Sequence, residues 1–309
     1  MKPAAAARQR GAALIMALLV VAFATTIAAA MLWRHDMWLR QVEGQRDLGQ
    51  ARWITTAAID WARAVLAYDA RTSSFDYATE PWATRVPPTK VEEGEVAGAI
   101  TDESGKWNLN NVVRSGAISM SDMEVFSRLL GALQISPSLA AALGDWVDAD
   151  DEVTPGGAED DYYLRLTPPY RTAGQPLTDV GDLLRVRGFD RGIVERLRPY
   201  VTALPRYNAV NINTASAPVL AALLPQLSLT QVRQVIEQRD RIPLRNAGDL
   251  ATYLPQGVVP VNPSAVDTRS SFFLVRVHAR YRRAGTVTEA LLERSRPNEW
   301  PRILWQKYE

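Results

Sequence analysis

From Gly11 to Trp33 the chain reads GAALIMALLVVAFATTIAAAMLW, with no Asp, Glu, Lys or Arg. As a helix rising 1.5 Å per residue, this stretch is about 35 Å long, enough to cross a hydrocarbon core of about 30 Å. Lys2, Arg8 and Arg10 precede it, so the positive-inside bias holds the N-terminus in the cytoplasm and sends the remainder across. Three readings fit: an uncleaved signal anchor, a signal peptide cut after the small residues Ala28–Ala30, or a short basic leader cut after Gly11 on the cytoplasmic side.

The sequence beyond the apolar run bears on that choice. No proline intervenes between Pro3 and Pro81, and Trp38, Val42, Ala51, Ile54, Ala58, Trp61, Val65 and Tyr68 recur mostly at three-, four- or seven-residue spacings. One helix to about Asp69, near 85 Å long, is the simplest expectation. A signal peptide severed at Ala30 gives no reason for the helix to continue through its own cut site.

Composition narrows the chemistry. There is no cysteine, and the two histidines, His35 and His278, are far apart in sequence. Thiol catalysis, disulfides and cysteine metal sites are excluded, and a histidine base or zinc site lacks material. None of the GxSxG, P-loop, HExxH or GxGxxG motifs occurs, so the chain reads as not an enzyme. A formal net charge of +1 gives no global field for nucleic acid.

Downstream, residues 71–95 with Pro81, Pro87 and Pro88 read as an irregular loop. Val96–Asn110 reads as a strand with a turn at Glu103-Ser104-Gly105. Alternation from Phe273 to Tyr281, a turn at Ala284-Gly285 and the run Thr286–Leu292 read as a hairpin. The region between reads as mostly helical and carries a repeat. NLN (Asn108–Asn110) matches NIN (Asn211–Asn213), and PLTDVGDL (Pro176–Leu183) matches PLRNAGDL (Pro243–Leu250). Ser136-Pro137 and Thr230 are the expected helix starts of the two copies.

The first copy carries an acidic insertion, DWVDADDEVTPGGAEDD, with eight carboxylates and no Lys or Arg between Asp145 and Asp161. Asp148, Asp150, Glu152, the Thr154 carbonyl and Glu159 fall at the ligand places of an EF-hand loop, but Val153 stands where that loop needs glycine. Two readings remain: a solvated acidic loop, or an irregular calcium loop with Asp148, Asp150, Glu152, Glu159 and Asp160 as ligands. Oxygen-only donors favour Ca2+ over zinc or copper.

The repeats also look like the helix-hairpin-helix units of competence DNA receptors, which makes a membrane-anchored DNA-uptake protein the rival function. Such a hairpin binds phosphate through glycine-flanked backbone N–H groups. Here one hairpin reads Leu227-Ser228-Leu229 and the other Gly188-Phe189-Asp190, a carboxylate at the phosphate's place. Arg185, Arg187, Arg191, Arg196 and Arg198 surround it.

The leader RQRG before the apolar run, the long helix, DESGKWNLN, the acidic loop, the repeats and the terminal hairpin together resemble one family, the K-type minor pseudopilins of the bacterial type II secretion system. Most pilins carry a glutamate four residues after the first mature residue. Here that place is Met16, a departure shared by the K-type. The resemblance implies processing by the prepilin peptidase between Gly11 and Ala12, a single-pass inner-membrane anchor with a periplasmic body, and calcium in the inserted domain. It also implies a place at the pseudopilus tip beside I- and J-type minor pseudopilins, other pseudopilins and the inner-membrane secretion platform.

The fold class it implies is α+β, a pilin-like long N-terminal helix on an antiparallel sheet with an inserted all-α domain of two helix-hairpin-helix-like (SAM-like) units. The expected divisions are a leader (1–11), the long helix (12–70, with 12–33 in the membrane), and a pilin-like part with the first strand (71–107). The α-domain (108–265, repeats 108–205 and 206–265, acidic loop 145–161) and a closing hairpin (266–309) follow.

Overall fold

The fold is that of a computed structural model describing residues 6–295 and 299–308, with side chains from residue 12 onward. Residues 1–5 of the expected leader lie outside the described residues, and for residues 6–11, Gly11 included, only the helical backbone is described. A single helix, α1 (Ala6–Thr72), runs from there past the expected end at Asp69. It stops where Ser73 N donates to Asp69 O (2.8 Å). Among the described residues it is the one helix long and apolar enough to cross a membrane. Met16, Phe23 and Trp33 are exposed on it.

The far half of α1 has two faces. Ile59, Ala62 and Leu66 are buried against Phe273, Val275, Val277, Ala279, Ala290 and Leu292. Burial of the Ile59 and Leu66 side chains is worth about 1.5–3 kcal/mol each. The strands beneath are β1 (Val86–Val91), β2 (Gly94–Asp102), β3 (Phe272–Tyr281), β4 (Ala284–Glu293) and β5 (Arg302–Tyr308), in that spatial order and antiparallel throughout. Along β3 the alternation places Phe273, Val275, Val277 and Ala279 under the helix while Arg276, His278 and Arg280 are exposed.

Three expectations need correction. The segment 71–95 is not all loop. It contains β1, whose Pro87 and Pro88 are tolerated because the strand is an edge, with an irregular register between Val86 and Thr89. The hairpin turns at Arg282-Arg283, with Ala284 already paired to Tyr281, and a third strand, β5, follows it. Helix starts also differ, since Ser228, not Thr230, caps the second-copy helix, and the first-copy helix begins at Leu139, after Ser138, whose side chain makes no capping bond.

Between the neighbouring strands β2 and β3 the chain makes a helical lobe with its own core, centred on Trp107, Phe126, Leu129, Leu143, Tyr163 and Leu223. Its helices are α2 (Met120–Ala132), α3 (Leu139–Val147), α4 (Asp160–Tyr163), α5 (Arg191–Leu197), α6 (Ala217–Leu223) and α7 (Leu229–Arg241). The repeated motifs make the same bonds twice. Asn110 Nδ2 donates to Leu177 O (2.9 Å) and its Oδ1 accepts from Leu177 N (2.8 Å). Asn213 does the same with Leu244 (2.8 and 2.9 Å). In each copy the Asp of GDL completes a capping box, Asp182 with Asp179 and Asp249 with Asn246.

The lobe is joined to the sheet through Asp102, at the end of β2. Its carboxylate accepts from Ser104 N (2.7 Å), Ser270 Oγ (2.6 Å), Asn211 Nδ2 (3.1 Å) and the Thr214 hydroxyl. Leu204 of the lobe packs on Phe272 and Leu291, and Arg206 Nε pairs with Glu293 (2.9 Å).

Candidate metal centre

Two groups of buried carboxylates occur among the described residues, and they differ in one respect. Asp69, Asp76 and Glu80 come together where α1 ends. There Arg294, itself buried, supplies the cation. It donates to Asp69 Oδ2 (2.7 Å) and Ser270 O (3.0 Å) and pairs with Asp76. Glu80 accepts from Trp82 Nε1 (2.7 Å) and Tyr77 N (2.9 Å).

The second group, Asp145, Asp148 and Glu159, has no such partner. Asp145 rides in the last turn of α3, Asp148 ends that helix with an extended backbone, and Glu159 starts α4 without capping it. One oxygen from each lies within 4.8 Å of the others. Two oxygens each about 2.4 Å from a common calcium ion can be no farther apart than about 4.8 Å. The three residues are 1%, 2% and 3% exposed, and among the described residues no Lys or Arg pairs with them. Asp148 Oδ1 and both Glu159 oxygens have no donor.

Buried, unpaired carboxylates are costly. Burial first, then the charges of Asp150 and Asp145, pushes Asp148 up to about 6. Burial, then Asp145, Asp148 and Asp151, pushes Glu159 up to about 7. Burial likewise raises Asp145, although Thr154 N donates to it (3.1 Å). The C-terminal end of α3 adds partial negative charge. This donor set of hard oxygens without a counter-ion fits a divalent cation of the calcium type.

The loop between the ligands is folded back by Pro155-Gly156-Gly157. Gly156 has φ +94°, and a Cβ on Gly157 would lie 2.0 Å from Asp145 Oδ2, so only glycine lets the loop close over Asp145.

Of the five ligands expected from sequence, the structure brings Asp148 and Glu159 together and leaves three apart. Asp150 and Glu152 are exposed, with Asp150 Oδ1 accepting from Glu152 N (2.9 Å). Asp160 points to Arg171 (3.0 Å) and to Thr172 N and Oγ1 (3.0 and 3.1 Å). The turn starting α4 sends the neighbouring carboxylates of Glu159 and Asp160 to opposite surroundings. Asp145 was missed. Its signal was the D-x-x-D spacing with Asp148, which places both on one side of a helix end.

Gly11 and Ala12, the expected processing residues, and Met16 lie in the N-terminal part of α1, not in this centre. At the hairpins, Asp190 Oδ1 accepts from Ile193 N (2.8 Å) and so occupies the N-terminus of α5 that a phosphate would need. Arg187 and Arg196 donate to carbonyls, and Arg198 pairs with Glu195 (3.3 Å).

A long helix whose far half lies on an antiparallel sheet, with a helical lobe let in between two adjacent strands, is the architecture expected of a pseudopilin. Family models described as type II secretion system (T2SS), protein K match residues 105–206 and 210–269. Type II secretion system protein K of Klebsiella pneumoniae is 37% identical over 75% of this chain and 76% of that protein. The Pseudomonas aeruginosa protein of that name is 35% identical over 80% and 78%, and the Pectobacterium carotovorum one 32% over 88% and 89%. The chain belongs to the type II secretion system protein K family and is a minor pseudopilin. A chain in the crystal structure of the GspK-GspI-GspJ complex from the enterotoxigenic Escherichia coli type 2 secretion system shares its fold. The TM-score is 0.76 over 87% of this chain and 99% of that one, at 22% identity.

Proposed function

We propose that this minor pseudopilin stands at the tip of the type II secretion pseudopilus, a structural part rather than an enzyme, with I- and J-type partners packed along α1. The observation that carries this reading is that α1 continues unbroken from the apolar segment to the sheet, while its outer flank keeps Trp53, Trp61 and Tyr68 exposed. A groove of 490 Å³ between Trp53, Trp61 and the β1–β2 hairpin adds apolar surface on that flank. With Met16 in place of the usual acid, the subunit needs no neighbour ahead of it in the filament. The lobe, read as two helix-hairpin-helix-like units kept for protein contacts, caps the far end.

The prepilin peptidase would cut between Gly11 and Ala12 at the inner membrane, leaving the N-terminus cytoplasmic and the body periplasmic. The secretion platform would then load the subunit into the filament. Calcium held by Asp145, Asp148 and Glu159 would supply the positive charge that Arg294 supplies in the other cluster. Intact-mass measurement of protein extracted from membranes is expected to give a chain beginning at Ala12, and Gly11→Val to retain the leader. A mature chain beginning at Met31 overturns the reading.

A further inference from the structure

We infer that Arg187, from the hairpin before α5, is the positioning residue of the calcium loop; the inference rests on the calcium reading proposed above. The segment between Asp148 and Glu159 has little regular structure. Its internal ties are few: Gly157 N to Thr154 O (2.7 Å), Glu152 N to Asp150, and Thr154 N to Asp145. Arg187 adds ties from outside the loop, on both sides of Glu159. Its guanidinium donates to Gly157 O (2.8 Å) and lies over the Tyr162 ring, 4.8 Å from the centroid. Its backbone N donates to Tyr163 Oη (3.0 Å). Gly157 is the residue wedged against Asp145, and α4 carries Glu159. The Arg187 side chain therefore braces the chain on both sides of Glu159, and with it the glycine packed against Asp145.

The sign of its charge makes this distinctive. A cation beside a cation site opposes binding by Coulomb's law, and among the described residues Arg187 pairs with no carboxylate. Electrostatics alone therefore predicts that neutralising Arg187 tightens calcium binding, whereas positioning predicts the reverse. A lysine keeps the charge but cannot both reach Gly157 O and stack flat on Tyr162. Outer supports of this kind typically contribute 10- to 100-fold in metal affinity.

The test titrates Ca2+ into the full-length protein in detergent by calorimetry, for wild type, Arg187→Gln, Arg187→Lys and Tyr162→Ala. Melting temperatures in chelator are recorded for each. Both Arg187 variants are expected to bind about 10- to 100-fold more weakly, and Tyr162→Ala to weaken binding by less. Arg187 is exposed, so metal-free melting should stay near wild type. If Arg187→Gln melts early, Arg187→Lys decides. Wild type that binds no calcium removes the calcium reading itself. Wild type that binds, with either Arg187 variant equal or tighter, removes only the inference.

Discussion

Asp148 and Glu159 each end in a single carboxyl group, yet their surroundings give them opposite effects with and without calcium. Metal-free, they are buried charges without partners, so Asp148→Asn and Glu159→Gln should melt at or above the wild-type temperature in chelator. With calcium, each should lose most of the stabilisation that saturating ion gives, which for a single site grows as RT ln(1 + [L]/Kd). Differential scanning calorimetry with and without excess Ca2+ reads both effects, and an undiminished calcium shift in both variants would count against the site. The sequence showed that acids cluster here, because eight carboxylates without a basic residue cannot be missed. It did not show which acids converge. Counting ligands from Asp148 onward overlooks Asp145, whose place comes from the helix before the loop. Nor does composition separate Glu159 from Asp160, which only the turn at α4 sends apart.

At the scale of elements, α1 was legible because nothing in it breaks a helix and its apolar spacing is helical. Its two faces now make distinct predictions. Ile59→Ala removes a side chain that is 1% exposed and should cost about 2–5 kcal/mol. Trp53→Ala removes one that is 72% exposed and should stay within about 0.5 kcal/mol in the isolated protein. Urea denaturation of the two variants checks the contrast, and equal losses would mean that the helix packs on the sheet by another face. The β3–β4 hairpin was legible from its alternation. By contrast β1 was hidden by Pro87 and Pro88, which read as loop until a sheet edge is known to be present. β5 was hidden because RILWQKY (302–308) becomes a strand by pairing with β4, a partner its own pattern does not announce.

For the molecule as a whole, the joint between lobe and sheet centres on Asp102. Burial pushes its carboxyl up to about 6, against the lowering effect of the Ser270 and Thr214 hydroxyls; Asp76, held by Arg294, adds a raising charge. A carboxyl whose folded pKa exceeds the unfolded value of 3.8 contributes stability at low pH that is lost as pH rises through the folded value. The melting temperature of wild type relative to Asp102→Asn should therefore fall between about pH 4 and 6 and level off above. A difference that grows with pH across that range would show the joint to prefer the ionised acid. The same joint has a consequence for how the chain matures. Asp102 pairs with Phe273 across the entire lobe, so closing the middle of the sheet means bridging a very long loop, an entropic cost that a collapsed lobe removes in advance. The sheet on which α1 packs is therefore expected to close after the lobe has collapsed. A subunit with a miscopied or damaged lobe is then expected to complete its sheet slowly, so a defect at the distal end of the protein would be felt at the proximal one.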